Sequence, residues 1–142
     1  MKSILLFGEI LLRLTPSNHQ LFIQANQLNM VYGGSEANIA VALSNWGEKS
    51  SYVTCVPDNN IGLAAIMQLR QYGVNTDFVI QKGHKMGLYF VEQGHSIRPT
   101  EVTYDRQNSA FVEAVPSDYQ IEKMLEDDTG ISIRYMVEAA AF

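Results

Sequence analysis

Cysteine is nearly absent. Cys55 is the only one in 142 residues, so no disulfide can form within the chain. It lies in Ser51-Tyr52-Val53-Thr54-Cys55-Val56, a strand-like run where a buried thiol acts as a small apolar side chain. Positive charge is also scarce: 10 Lys and Arg against 15 Asp and Glu give a net charge of −5. That balance argues against nucleic acid and against anionic membrane surfaces, both of which attract an excess of Lys and Arg. One well-placed Arg can still hold a small anion. Long hydrophobic runs are missing too. The apolar start Ile4-Leu5-Leu6-Phe7 is broken by Gly8-Glu9, too short for a signal peptide or a membrane span, so a cytoplasmic protein is expected.

Several chemical signatures are missing as well. There is no Gly-x-x-x-x-Gly-Lys loop, no Gly-x-Gly-x-x-Gly fingerprint and no Gly-x-Ser-x-Gly elbow. His19, His84 and His95 are dispersed without metal-ligand spacing, so no metal site is expected. No repeat, linker or low-complexity stretch divides the chain, and its length suits one ordinary domain.

What is present alternates. Ile4 to Phe7 is a continuous apolar run, as in a central strand buried on both faces. Residues 10–30 mix apolar and polar positions around the turn Pro16-Ser17-Asn18 and predict two or three short strands outside the main sheet. Gly33-Gly34-Ser35 opens a helix with Ile39, Leu43 and Trp46 on one face beside Ala40, and Gly47 closes it. Ser50 to Val56 is a strand. Asp58 is an N-cap candidate for a second helix with a stripe of Ile61, Ala65, Leu69 and Tyr72, ended by Gly73. Thr76 to Ile80 is again a strand. This order predicts a parallel sheet flanked by helices. Met86 to Glu92 and Ile97 to Arg106 then form a hairpin around Gln93-Gly94-His95-Ser96. The two β insertions, about 10–30 and 86–106, can pair into one small sheet over the edge of the domain. Ser117 to Asp128 suggests a short helix and Ile131 to Val137 a strand.

Three features carry possible chemistry. Gly33-Gly34 lets backbone approach a ligand at a helix start, or simply makes a tight loop. Asn38 lies one turn on, facing back over the loop, and can both donate and accept. Tyr104 and Arg106 alternate on one strand with Tyr89 on its partner, which suits a small anion through a guanidinium fork and a flat wall. A cross-strand aromatic pair with a snorkelling Arg is the plainer alternative.

In order and spacing, Gly8-Glu9, Gly33-Gly34-Ser35-Glu36-Ala37-Asn38, Asp58 with Gly62, Met86-Gly87-Leu88-Tyr89 and Val102-Thr103-Tyr104-Asp105-Arg106 resemble a PfkB-type, ribokinase-like carbohydrate kinase. The likeness is strongest to 2-keto-3-deoxygluconate kinases and covers residues 3 to 125. It implies an α/β core with a β-sheet lid that closes over the sugar and often forms a dimer contact. It further implies that Gly33, Gly34, Asn38, Tyr89, Tyr104 and Arg106 hold the substrate, with Arg106 near its carboxylate and Glu9 against sugar hydroxyls. ATP and Mg²⁺ are the cofactors of the full-length family enzyme. The family's Gly-Ala-Gly-Asp-like motif, which carries the catalytic base and the anion hole, does not occur here. The expectation is therefore an N-terminal, sugar-binding part that binds no ATP alone and lacks catalysis, with residues 126–142 as a divergent tail. The alternative is a non-catalytic dimeric binding module.

Overall fold

The computed structural model describes residues 3–126, so the strand expected over 131–137 lies outside the described residues. Two sheets organise it. The core sheet holds β1 (Ser3–Phe7), β4 (Lys49–Val56) and β5 (Val79–Gln81) in the order β1-β4-β5, all parallel. The helices α1 (Ser35–Asn45) and α2 (Asn60–Gln71) connect them. Both crossovers step in the same direction, and the right-handed rule for parallel connections then places both helices on one face. There Ala37 and Ala40 of α1 and Ala65, Ile66 and Leu69 of α2 pack on Leu6, Tyr52 and Val56. The opposite face carries Phe7, whose ring meets Phe111 and Tyr119 at 5.5 and 5.3 Å.

Four expectations change. The central strand is β4, buried from Ser50 onward, whereas β1 is an edge among the described residues and Phe7 is 36% exposed. An all-apolar strand reads the same at either place, because neighbours are set by pairing and not by the strand's own pattern. The α1 stripe is shifted, with Ile39 and Trp46 at 44% and 78% exposure while the small Ala37 and Ala40 face the sheet. In α2, Gly62 and Ile66 join Ala65 and Leu69 inside, and Ile61 and Tyr72 are exposed. The α2 cap is Asn59, not Asp58: its side chain accepts from the backbone N–H of Ile61 and Gly62 at 3.0 and 3.2 Å. Gly47 and Gly73 do end the helices, both at positive φ.

The second sheet runs β3-β2-β6-β7, from β2 (Leu11–Pro16), β3 (Leu28–Gly33), β6 (Leu88–Glu92) and β7 (Glu101–Asp105). Hairpins join β2 to β3 and β6 to β7, and the insertions meet where β2 and β6 pair in parallel, Leu12 opposite Leu88. Short pieces complete the described chain: a 3₁₀ turn at Phe22–Gln24, α3 (Ala110–Glu113), a second 3₁₀ turn at Pro116–Asp118 and α4 (Ile121–Glu126). Among the described residues no helix is long and apolar enough to cross a membrane.

Candidate functional site

The candidate residues come from five places in the chain, and the fold gathers them where the two sheets meet. Glu9 follows β1. Its carboxylate is buried, 3% exposed, and no longer free: Oε2 accepts from Arg106 at 2.7 Å from Nε and 2.6 Å from one terminal nitrogen, and Oε1 accepts from the Ser109 hydroxyl at 2.6 Å. Arg106 leaves the end of β7 to make this contact and stays 31% exposed. A buried carboxylate needs such partners, since losing one side of a buried pair costs roughly 3–5 kcal/mol.

Gly34 is the N-cap residue of α1, with extended backbone at φ 169°. Glycine is needed there for closeness, not for dihedral freedom. A Cβ on Gly34 would stand 2.6 Å from the Glu9 carbonyl oxygen. Gly33 is different: its Cβ position is open, with Asn38 Oδ1 and the Tyr89 hydroxyl each 3.7 Å away. Asn38 is exposed one turn into α1, its N–H bonded to the Gly34 carbonyl at 2.8 Å. Tyr89 and Tyr104 are direct cross-strand partners and their rings stack at 5.8 Å and 24°. Tyr104 is 63% exposed and forms the outer wall.

The seven residues thus form one continuous arc. It runs from Arg106 through Glu9 to Gly34 and Gly33, then by Asn38 and Tyr89 to Tyr104. Backbone amides, an amide side chain, two phenols and a guanidinium line it, a mixture that can bind hydroxyls and one anion. The base of the β6–β7 hairpin is fixed by Lys85, whose ammonium donates to Asp105 at 2.6 Å and to the Gln107 carbonyl at 3.0 Å. The middle of the arc, beside Gly33, is held because the Tyr32 hydroxyl donates to the Ile61 carbonyl at 2.9 Å and Gln68 donates to the Tyr32 carbonyl at 3.1 Å. A separate open cleft of about 370 Å³ between α1 and α2 shares Gly33 and Asn38 but reaches none of Glu9, Tyr89, Tyr104 or Arg106.

Sequence reasoning missed three participants. Ser109 caps α3, its side-chain oxygen accepting from the Val112 N–H at 3.3 Å. Its bond to Glu9 spans 100 positions and leaves no local trace. Glu36 is buried, and with Glu9 it lies close enough to Tyr52 to affect its phenol. Burial first, then the charges of Glu36 and Glu9, push the Tyr52 hydroxyl well above its ordinary pKa. That hydroxyl has no hydrogen-bond partner among the described residues. No group of three or more His, Cys, Asp or Glu side chains that could hold a metal ion occurs among them.

Comparison with known proteins agrees with this fold. The family model for pfkB family carbohydrate kinases matches residues 1–129. The chain is 33% identical over 121 residues to 2-dehydro-3-deoxygalactonokinase of Haloferax volcanii, covering 85% of this chain and 38% of that protein. The crystal structure of 2-dehydro-3-deoxygluconokinase from Thermotoga maritima superposes with a TM-score of 0.85 at 42% identity, covering 88% of this chain and 38% of that one. That of a putative 2-keto-3-deoxygluconate kinase from Enterococcus faecalis gives 0.85 at 35%, covering 89% and 38%. The chain therefore spans 38% of the length of these relatives. With the α/β core and the family match in agreement, the chain belongs to the pfkB family of carbohydrate kinases.

Proposed function

We propose that this chain is the N-terminal, sugar-binding part of an ATP-dependent kinase acting on 2-keto-3-deoxygluconate or a similar sugar acid. The observation that carries the reading is the Arg106 guanidinium, held at one end of an arc of hydroxyl-binding groups. Glu9 engages Nε and one terminal nitrogen, and a guanidinium has five N–H donors, so further donors remain for a substrate carboxylate. Gly33, Gly34, Asn38, Tyr89 and Tyr104 then face the hydroxyls and the flat side of the sugar. The likeness to keto-deoxy acid kinases supports the substrate class.

ATP and Mg²⁺ belong in this reading to the whole enzyme. The described residues offer no carboxylate cluster for Mg²⁺, and no phosphate-binding glycine motif occurs in the sequence. Phosphoryl transfer depends on positioning and on charge stabilisation around the transferred group. Without the Gly-Ala-Gly-Asp-like motif, the chain alone binds the sugar acid without turning over ATP. Calorimetric titration with 2-keto-3-deoxygluconate tests the site, with Arg106→Ala and the charge-preserving Arg106→Lys as variants. Binding by wild type that is lost in Arg106→Ala and weakened in Arg106→Lys is expected. Binding that survives both removes the carboxylate role.

A second reading, a non-catalytic dimeric module joined through the lid, is favoured by one observation. β3 is an exposed edge strand carrying Leu28, Met30 and Val31, and β7 at the other edge exposes Val102. Open apolar strand edges invite pairing with a second copy. Equilibrium sedimentation well above micromolar concentration decides it, since a monomer there would remove the dimer. In either reading the protein works in the cytoplasm.

A further inference from the structure

We propose that Glu9 and Ser109 are positioning residues that fix the Arg106 guanidinium, and that this fixing sets the preference of the site for acidic over neutral sugars. The proposal rests on the reading of Arg106 as the carboxylate-binding group, and it gives Glu9 a different task from contact with sugar hydroxyls. A carboxylate offers about four acceptor positions. In Glu9, Oε2 takes two N–H bonds from Arg106 and Oε1 takes the Ser109 hydroxyl. The carboxylate is therefore mostly spent on the protein itself. It grips Arg106 by Nε and a neighbouring nitrogen, an arrangement that fixes the plane of the fork and leaves the remaining N–H groups aimed elsewhere.

The surroundings are shaped to this grip. Ser109 is 1% exposed and uses its oxygen twice, donating to Glu9 and accepting from Val112 N–H. A Cβ on Gly87 would overlap Glu9 Oε1 and Leu11, and one on Gly34 would overlap the Glu9 carbonyl. Two glycines and a buried serine thus leave the glutamate one place to be. An ordered guanidinium loses less freedom when it takes up a ligand, and its bonds to a carboxylate are about twice as strong as those to a hydroxyl, so fixing it raises affinity for acids more than for neutral ligands.

The test uses the full chain and two readouts. The first is the Arg106 Nε–H signal in ¹⁵N-edited NMR spectra. A distinct, slowly exchanging signal is expected in wild type and should be lost in Glu9→Gln and broadened in Ser109→Ala. The second is the ratio of affinities for 2-keto-3-deoxygluconate and D-fructose, a ketose with a hydroxymethyl group in place of the carboxylate. Ser109→Ala changes no charge, so a selective loss of roughly three- to tenfold for the acid, the range one net hydrogen bond carries, is expected. Ser109→Cys keeps a weak donor of similar size and should fall between the two. An Arg106 Nε–H that exchanges like an exposed arginine in wild type overturns the proposal. So does an unchanged acid-to-neutral ratio in Ser109→Ala. If wild type binds no sugar acid, the preference for acids falls with the function assigned above. The NMR signal and its loss in the variants then decide the positioning role separately.

Discussion

Adjacent glycines at the head of α1 are expected to fail in different ways when each gains a methyl group. In Gly34→Ala the new Cβ would stand 2.6 Å from the Glu9 carbonyl oxygen, where ordinary contacts begin near 3.4 Å. The φ of 169° suits alanine, so dihedral strain adds nothing. The clash is between two backbones, and neither can rotate away as a side chain would. Overpacking of this kind costs about 1–3 kcal/mol, and replacing a glycine N-cap by alanine adds roughly 0.5–1 kcal/mol. Displacing the Glu9 backbone also drags the carboxylate that holds Arg106, so sugar-acid affinity should fall with stability. In Gly33→Ala the methyl meets only Asn38 Oδ1 and the Tyr89 hydroxyl at 3.7 Å, an ordinary contact. Stability should then stay within about 0.5 kcal/mol of wild type. The methyl nevertheless fills space where a ligand would reach both groups, and affinity should drop at least about tenfold, the equivalent of one good polar contact. Urea denaturation and calorimetric titration of both variants measure the split. A Gly34→Ala protein as stable as wild type refutes the close approach, and a Gly33→Ala protein that binds normally moves the sugar away from Gly33.

Further substitutions probe other parts of the structure. Asn59→Ala should cost about 1 kcal/mol in thermal denaturation, while Asp58→Ala changes little, because Asn59 alone caps α2. Tyr52→Phe should stabilise the fold by about 1 kcal/mol at pH 7, since it deletes a buried hydroxyl without a partner. The same variant should flatten the alkaline limb: the folded Tyr52 keeps its proton above the unfolded value of ~10, so wild-type stability is full below that pH and declines as pH rises past it. Urea midpoints at pH 7 and 10.5 check both statements. Tyr104→Ala removes a wall that is 63% exposed, so sugar-acid affinity should fall roughly three- to tenfold, while stability loses only the ~0.5–1.5 kcal/mol of its stacking on Tyr89. Titration beside melting curves separates the two.

Much of this architecture was legible because periodicity and punctuation are local. Gly33-Gly34 before an apolar helical run marked the start of α1, and two strand-like insertions in an alternating chain marked the second sheet. The errors share a physical origin. A helix face is chosen by how closely its backbone can approach the sheet, so α1 turns Ala37 and Ala40 inward and leaves the larger Ile39 and Trp46 outside. Counting apolar residues finds the period but not that phase. The place of β1 in the sheet depends on which strands pair with it, and no residue of Ile4 to Phe7 records that. At the site, the Tyr–Arg pattern pointed to Arg106, and the family resemblance pointed separately to Glu9. Their meeting with each other and with Ser109 could not be read, because it depends on two sheets closing together.

That dependence bears on how the site behaves. The Glu9–Arg106 contact joins positions 97 residues apart, from the end of β1 to the exit of β7. Loop-closure entropy grows only slowly with such a separation, but it must still be offset before the contact forms. The pairing of β1 with β4, and of β2 with β6, brings both ends near each other first. The ion pair lies beside β7, an edge strand of the second sheet, where local opening costs least. Disorder of the β6–β7 hairpin would take Arg106 away from the Glu9 carboxylate, so losing this hairpin also costs the ion pair at Glu9. On the reading of Arg106 as the carboxylate-binding group, order in this hairpin and acid affinity should rise and fall together. Hydrogen exchange of the β6–β7 amides should track the Arg106 Nε–H across the Ser109 variants, and independent exchange of the two would show that the site is held by the core alone.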